Sequence, residues 1–168
     1  MGYHDHFKLA DDMINHLNTF VRSVPDPFIQ SRYTGFVSVS AVTVYELAIK
    51  EIFCTFSSQK HRVLGTFALA YFGRINGRIK LEIVRDDYIK RFGKKYVDRF
   101  KRKIDDAEKQ ILTSTGKSIK SSYNNIIEWR NQFAHEGLIP STVTYDEVIE
   151  AYTYGKEVIT CLHETMRR

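Results

Sequence analysis

The sequence is short of the residues that staple small folds or interrupt helices: its 168 residues include two cysteines, three prolines and one tryptophan. Cys54 and Cys161 cannot build a disulfide framework or a zinc site of the usual cysteine-histidine spacing. Together with a start that has no signal-peptide pattern, they set the expectation of a reducing, cytoplasmic setting. No apolar run reaches the roughly 18 residues that span a bilayer, so no membrane segment is expected. A Gly-rich phosphate loop of Walker type, internal repeats and low-complexity tracts are also missing. These absences set aside disulfide-rich, P-loop, repeat and membrane-spanning classes. What remains, with 43% hydrophobic residues, suffices for a core, and residues 1–168 are read as a single domain.

Charge and aromatics are plentiful. Lys and Arg total 25 against 20 Asp and Glu, a formal net charge of +5, which favours anionic partners. Across residues 85–103, nine basic residues face three acidic ones, and the local excess of +6 is larger than that of the whole chain. Tyr88, Phe92, Tyr96 and Phe100 are interleaved with these charges. Lys94, Lys95 and Arg99 are therefore candidates for tracking a nucleic-acid backbone, with an ordinary solvated face as the alternative. Most of the ten Tyr and eleven Phe must pack inside.

Apolar periodicity predicts an all-α bundle of six or seven helices. Phe7, Leu9, Ala10, Met13, Ile14 and Leu17 mark the first, which Val24-Pro25-Asp26-Pro27 ends, and residues 28–35 read as a connector. Val37, Val39 and Ala41 alternate like a strand, but Ala41, Val44, Tyr45, Ala48 and Ile52 keep a helical stripe, and a lone strand would have no partner. One helix is expected over residues 37–56. Val63, Leu64, Phe67, Ala68 and Tyr71 mark a third helix, and Ile75-Asn76-Gly77 supplies a turn. A short fourth helix covers residues 80–92, and Val97, Phe100, Ile104, Ala107 and Ile111 carry a fifth. Thr144 and Glu147 form a capping box that opens the last helix.

The richest stretch lies on the sixth: Trp129-Arg130-Asn131-Gln132-Phe133-Ala134-His135-Glu136-Gly137. Arg130 falls within the apolar stripe, so its guanidinium is aimed at an interface and needs an anion, carbonyl oxygens or a wet cavity. Asn131 and His135, four apart, share a face about 100° round from Arg130. The offset from Arg130 to His135 is about 140° and 7.5 Å on an ideal helix, so the two do not converge on a small target within one chain. A second copy related by a two-fold axis could bring both pairs round one cleft. The plain alternative is a helix whose terminal His simply caps it. Glu46, among Val42, Ile49 and Phe53, is expected to be half-buried, either paired with Lys50 or supporting Arg130.

Arg130-Asn131, three residues and then His135 resemble the Arg-x4-6-His signature of the HEPN superfamily, in which a polar residue follows the Arg. Val44-Tyr45-Glu46-Leu47-Ala48-Ile49-Lys50-Glu51-Ile52 and the basic helical middle are similar to its RiboL-PSP and MAE-type groups from about Gly35 onward. The resemblance implies a small all-helical, commonly dimeric protein that cleaves RNA without a metal or other cofactor, in toxin, antiphage or RNA-processing systems. Arg130, Asn131 and His135 would be catalytic and Glu46 supporting. RNA, a second copy and a cognate antitoxin or inhibitor protein are the implied partners. The alternative is a HEPN module that binds RNA, a nucleotide or a protein without cleaving.

Overall fold

Pro25-Asp26-Pro27 opens the longest helix rather than leading into a connector. In the computed structural model, which describes residues 2–167, the Asp26 carboxylate accepts from the Phe28 N–H at 2.9 Å. Pro27 takes the first helical position, where a missing N–H leaves nothing unsatisfied. The described residues form seven α-helices and no strand: α1 (Tyr3–Asn18), α2 (Pro27–Lys60), α3 (Arg62–Phe72), α4 (Leu81–Ile83), α5 (Lys94–Thr115), α6 (Ile119–Glu136) and α7 (Tyr145–Met166). Residues 28–35 thus belong to α2, which starts ten residues before the expected Val37. Their pattern misleads because Phe28 and Ile29 are exposed and mark no core. None of the helices is long and apolar enough to cross a membrane.

The rest of α2 explains the packing. Its buried face runs through Val37, Ala41, Tyr45, Ala48 and Ile52, the helical stripe rather than the strand alternation. Tyr45 is stacked between Tyr123 of α6 and Tyr152 of α7, with centroids 5.4 and 5.7 Å away, and its hydroxyl donates to the Tyr152 carbonyl at 2.5 Å. The Tyr152 hydroxyl in turn donates to the Phe7 carbonyl of α1 at 3.3 Å. One aromatic column therefore ties four helices, each polar tip satisfied by a carbonyl. A second cluster stacks Phe53 on Phe72 and Phe92, at 4.5 and 5.5 Å, and holds α3 and the segment after α4 against the far half of α2.

Several expectations change in detail. Leu9 points outward despite its place in the apolar set of α1. On α3, Gly65, Ala68 and Phe72 are buried, whereas Val63, Phe67 and Leu69 are about two-thirds exposed. This short helix folds straight back on α2 and buries one side only. Residues 80–92 are a composite: α4 continues into a π turn, Val84–Tyr88, and a 3-10 turn, Ile89–Phe92. The Thr144 capping box is present, with the Thr144 N–H donating to Glu147 at 2.7 Å and the Glu147 N–H donating to the Thr144 hydroxyl at 3.2 Å.

Burial raises the buried phenols: Tyr88 is pushed up to about 12, and Tyr45, Tyr123 and Tyr152 are also raised. A phenol whose folded pKa lies above its unfolded value of about 10 contributes stability that is complete below pH 10 and lost as pH rises through the folded value. In an alkaline titration these phenols should ionise together with the loss of helical circular dichroism. Complete phenolate formation in a chain that keeps its helices would contradict this packing.

Candidate active site

The site is assembled around a turn rather than on α6 alone. Ser118 caps α6 by accepting from the Ser121 N–H at 3.0 Å, and Tyr123, Ile126 and Ile127 bury the helix. One turn further on, the half-buried Arg130 extends its guanidinium to residues 75–80, where Nη2 donates to the Gly77 carbonyl at 3.3 Å. The Gly77 N–H donates a hydrogen bond to the Glu46 carboxylate. The second Glu46 oxygen takes Lys50 Nζ at 2.6 Å. Glu46 therefore pairs with Lys50 and, through the Gly77 peptide, also meets the turn on which Arg130 rests.

Two buried tyrosines hold the same turn from below. The Tyr88 hydroxyl, carried inward on the π turn, donates to the Arg78 carbonyl at 2.7 Å, and the Tyr123 hydroxyl donates to the Ile79 carbonyl at 2.6 Å. Asn76 (φ 37°) and Gly77 (φ 76°) are both left-handed. A Cβ added to Gly77 would lie 2.3 Å from Arg130 Nη2. Gly77 suits the turn through its backbone, and a Cβ there would displace the end of the Arg130 side chain. The Asn-Gly pair signals the turn in sequence, but nothing there tells which side chain meets it.

Above the turn is an open cleft of about 320 Å³, lined by Val39, Thr43 and Glu46 from α2, by Asn76 and Gly77, and by Arg130 and Ala134 from α6. The two Glu46 oxygens are engaged elsewhere, while Arg130 makes one long bond to a carbonyl and keeps further N–H donors for the cleft. A partly desolvated guanidinium in this state suits an anion that presents two oxygens to its planar fork, such as a phosphate.

His135 is exposed in the last turn of α6 and does not line this cleft, although the preceding Ala134 does. Asn131 is half-buried and also lies outside it. The structure thus brings Arg130 and Glu46 together and leaves Asn131 and His135 on the neighbouring face. At that end Phe133 lies so close to α2 that a Cβ on Gly35 would fall 2.1 Å from its ring. Arg32 of α2, over the Phe28 ring at 4.8 Å, reaches to within 3.2 Å of where a Gly137 Cβ would sit. It is a second cation beside the motif, one that the expected connector hides.

Of the other candidates, Lys94 and Lys95 are exposed at the start of α5. Arg99 is half-buried, donates to the Thr165 carbonyl at 3.1 Å and lies over Tyr96 at 5.6 Å. The basic run is also less free than its count: Arg85, Arg91 and Lys103 are in ion pairs with Asp86, Asp87 and Glu164. Among the described residues no three His, Cys, Asp or Glu side chains form a group that could hold a metal ion.

A sequence model of the family described as RiboL-PSP-HEPN matches residues 5–167. The match takes in α1, well ahead of Gly35. No curated protein and no solved structure matches the chain.

Proposed function

The chain belongs to the RiboL-PSP-HEPN family, and from that premise, which points to an RNA-related, nuclease-type role, we propose that it is a metal-independent endoribonuclease acting in the cytoplasm as a homodimer. Its setting would be that of a toxin or antiphage effector with a cognate antitoxin or inhibitor protein. The observation that carries the reading is Arg130 in an open cleft, held by a carbonyl instead of a carboxylate, five residues before an exposed His135.

In this mechanism the 2′-hydroxyl attacks the adjacent phosphorus. One His135 takes the hydroxyl proton, and the same residue of a second copy protonates the departing 5′-oxygen. Arg130 binds two phosphate oxygens and offsets the charge added in the pentavalent state. Asn131 orients the phosphate or its same-face neighbour His135. Histidine suits both proton roles because its ordinary pKa near 6.5 keeps both forms available.

An exposed apolar patch supports a dimer at this end. Phe28 and Phe36 are 54% and 52% exposed, and Ile29 and Leu138 are also open to solvent; Phe36 packs edge-on against Phe133 at 5.6 Å. Light scattering at micromolar concentration should give a dimer. A monomer that still cleaves RNA would contradict the shared site.

The second reading, a HEPN module that binds RNA, a nucleotide or a partner protein without chemistry, is favoured by one observation, the position of His135 outside the Arg130 cleft. Purified protein incubated with mixed RNAs in EDTA separates the two. Cleavage leaving a 2′,3′-cyclic phosphate, or the 3′-phosphate formed from it, and a free 5′-hydroxyl supports catalysis. Intact RNA supports the binding module.

Lys94, Lys95 and Arg99 are proposed to bind the RNA backbone. Because Arg99 is engaged with α7, the informative change is Lys94→Glu with Lys95→Glu. This pair should weaken RNA binding and flatten its salt dependence, with the rate at saturating RNA nearly unchanged. A large loss of saturated rate at unchanged affinity would put these lysines in the chemistry instead.

A further inference from the structure

The Arg130 cleft does not end at the turn. Its floor is Asn76 and Gly77, and the residues on either side, Ile75 and Arg78, line a second cleft of about 400 Å³ with Arg74 and Tyr88. That cleft shares Phe67 and Tyr71 with a third, of about 350 Å³, walled by Phe56, Phe92 and Tyr96. The second and third clefts are therefore joined, the turn at residues 75–78 contributes to both the first and the second, and the third is lined by Tyr96 near the start of α5.

Along this path cations outnumber carboxylates. Lys60, Arg74, Arg78, Arg91 and Arg130 line the clefts, against Glu46 and Asp87. Both carboxylates are already occupied, Glu46 by Lys50 and the Gly77 N–H, and Asp87 by Arg91 at 2.7 Å. Arg74 and Arg78 are exposed and form no ion pair among the described residues. Between these cations lie aromatic rings: Phe67 is 66% exposed and near-parallel to Tyr71, 6.4 Å away. The Arg91 guanidinium covers the Tyr71 ring at 4.6 Å, and Lys60 Nζ lies over Phe56 at 5.2 Å.

Arg74 and Arg78, which have no acidic partner among the described residues, beside the exposed Phe67 ring are what unpaired nucleotides require, since phosphates meet the cations and a base stacks on the ring. A duplex would present only its backbone, its bases being already stacked. We propose that this α3 track binds the single-stranded RNA flanking the scissile phosphate, leading it from Arg130 across Arg78 and Arg74 onto Phe67 and towards Lys94 and Lys95. The proposal takes its ligand class from the nuclease reading and extends it to a surface outside the motif. It also accounts for the apolar side that α3 leaves uncovered.

The test combines Phe67→Ala, Arg74→Ala and Arg78→Ala, all exposed positions, with helical circular dichroism as the folding control. Affinity for a labelled single-stranded RNA of about twelve nucleotides is measured in EDTA on His135→Ala chains, so that the strand survives. The triple change should weaken binding at least about tenfold and lower the salt slope by about 0.7 for each phosphate that is no longer neutralised. The same strand annealed to its complement should bind the parent more weakly. Unchanged affinity and slope overturn the proposal. So does a parent chain that ignores the strand and binds a polyglutamate peptide, which would make this an acidic-protein surface. Hydrolysis of a dinucleoside monophosphate, too short to reach Phe67, reads the Arg130 cleft separately and should be unaffected by the triple change. If that hydrolysis is absent while the track variants still lose the strand, the catalytic reading fails and the track stands.

Discussion

His135→Ala should lower the rate of RNA cleavage by at least about 10²–10⁴-fold, the usual contribution of a positioned proton-transfer group. The change is chemically clean, because the imidazole is exposed in the last turn of α6 and takes no part in the core. Its removal should leave helical circular dichroism and the thermal midpoint near those of the parent. If one His135 is the base and its symmetry mate the acid, mixing inactive His135→Ala chains with inactive Arg130→Ala chains should restore little activity, because each mixed dimer keeps only one imidazole. Arg130→Lys keeps a charge but loses the planar fork, and it too should be severely impaired. A His135→Ala protein that cleaves at the parent rate would hand the site to the binding-module reading.

The second large effect is expected from Gly77→Ala, a single methyl placed away from the chemistry. Two costs arise together. A left-handed residue with a side chain is disfavoured by roughly 1–2 kcal/mol, and the new Cβ would lie 2.3 Å from Arg130 Nη2, so the guanidinium must move. Misplacing a catalytic group by about 1 Å can cost about 10²-fold in rate, and that is the loss expected at saturating RNA. Gly116→Ala separates the two costs, because Gly116 has nearly the same φ, +73° against +76°, and nothing within 4 Å of its added Cβ. It should lose a similar amount of stability and cleave normally. Equal losses of rate in both variants would mean that backbone strain alone is at work and that Gly77 does not position Arg130. Glu46→Gln, which retains an acceptor for the Gly77 N–H but drops the charge facing Lys50, should fall between Gly77→Ala and the parent.

Much of this protein is legible from spacing because helices are local structures. The stripe from Ala41 to Ile52 and the Thr144 capping box, like the left-handed Gly137 that ends α6, depend on residues within a turn or two of one another, and each is present. The same locality places Arg130, Asn131 and His135 on one helix with the angular offsets they have. Spacing fails where the deciding neighbour lies far along the chain or where exposure breaks the pattern. Residues 28–35 resemble a connector because Phe28 and Ile29 face solvent, and that hides Arg32. The stripe on α3 has the pattern of core, but a helix folded back on α2 can bury only one side, and the other forms the Phe67 track.

The Arg130 cleft is the clearest case. Its guanidinium rests on a peptide 53 residues away, that peptide is held by a glutamate 31 residues from it, and the turn is fixed by two tyrosine hydroxyls. An Asn-Gly pair in a sequence declares a left-handed turn, since backbone sterics are intrinsic to those residues. That the turn serves as the seat of an arginine is settled by the packing of α2, α6 and the π turn around it. Helical phase aims the guanidinium at an interface, but the hydrogen-bond partner waiting there is a property of the assembled fold.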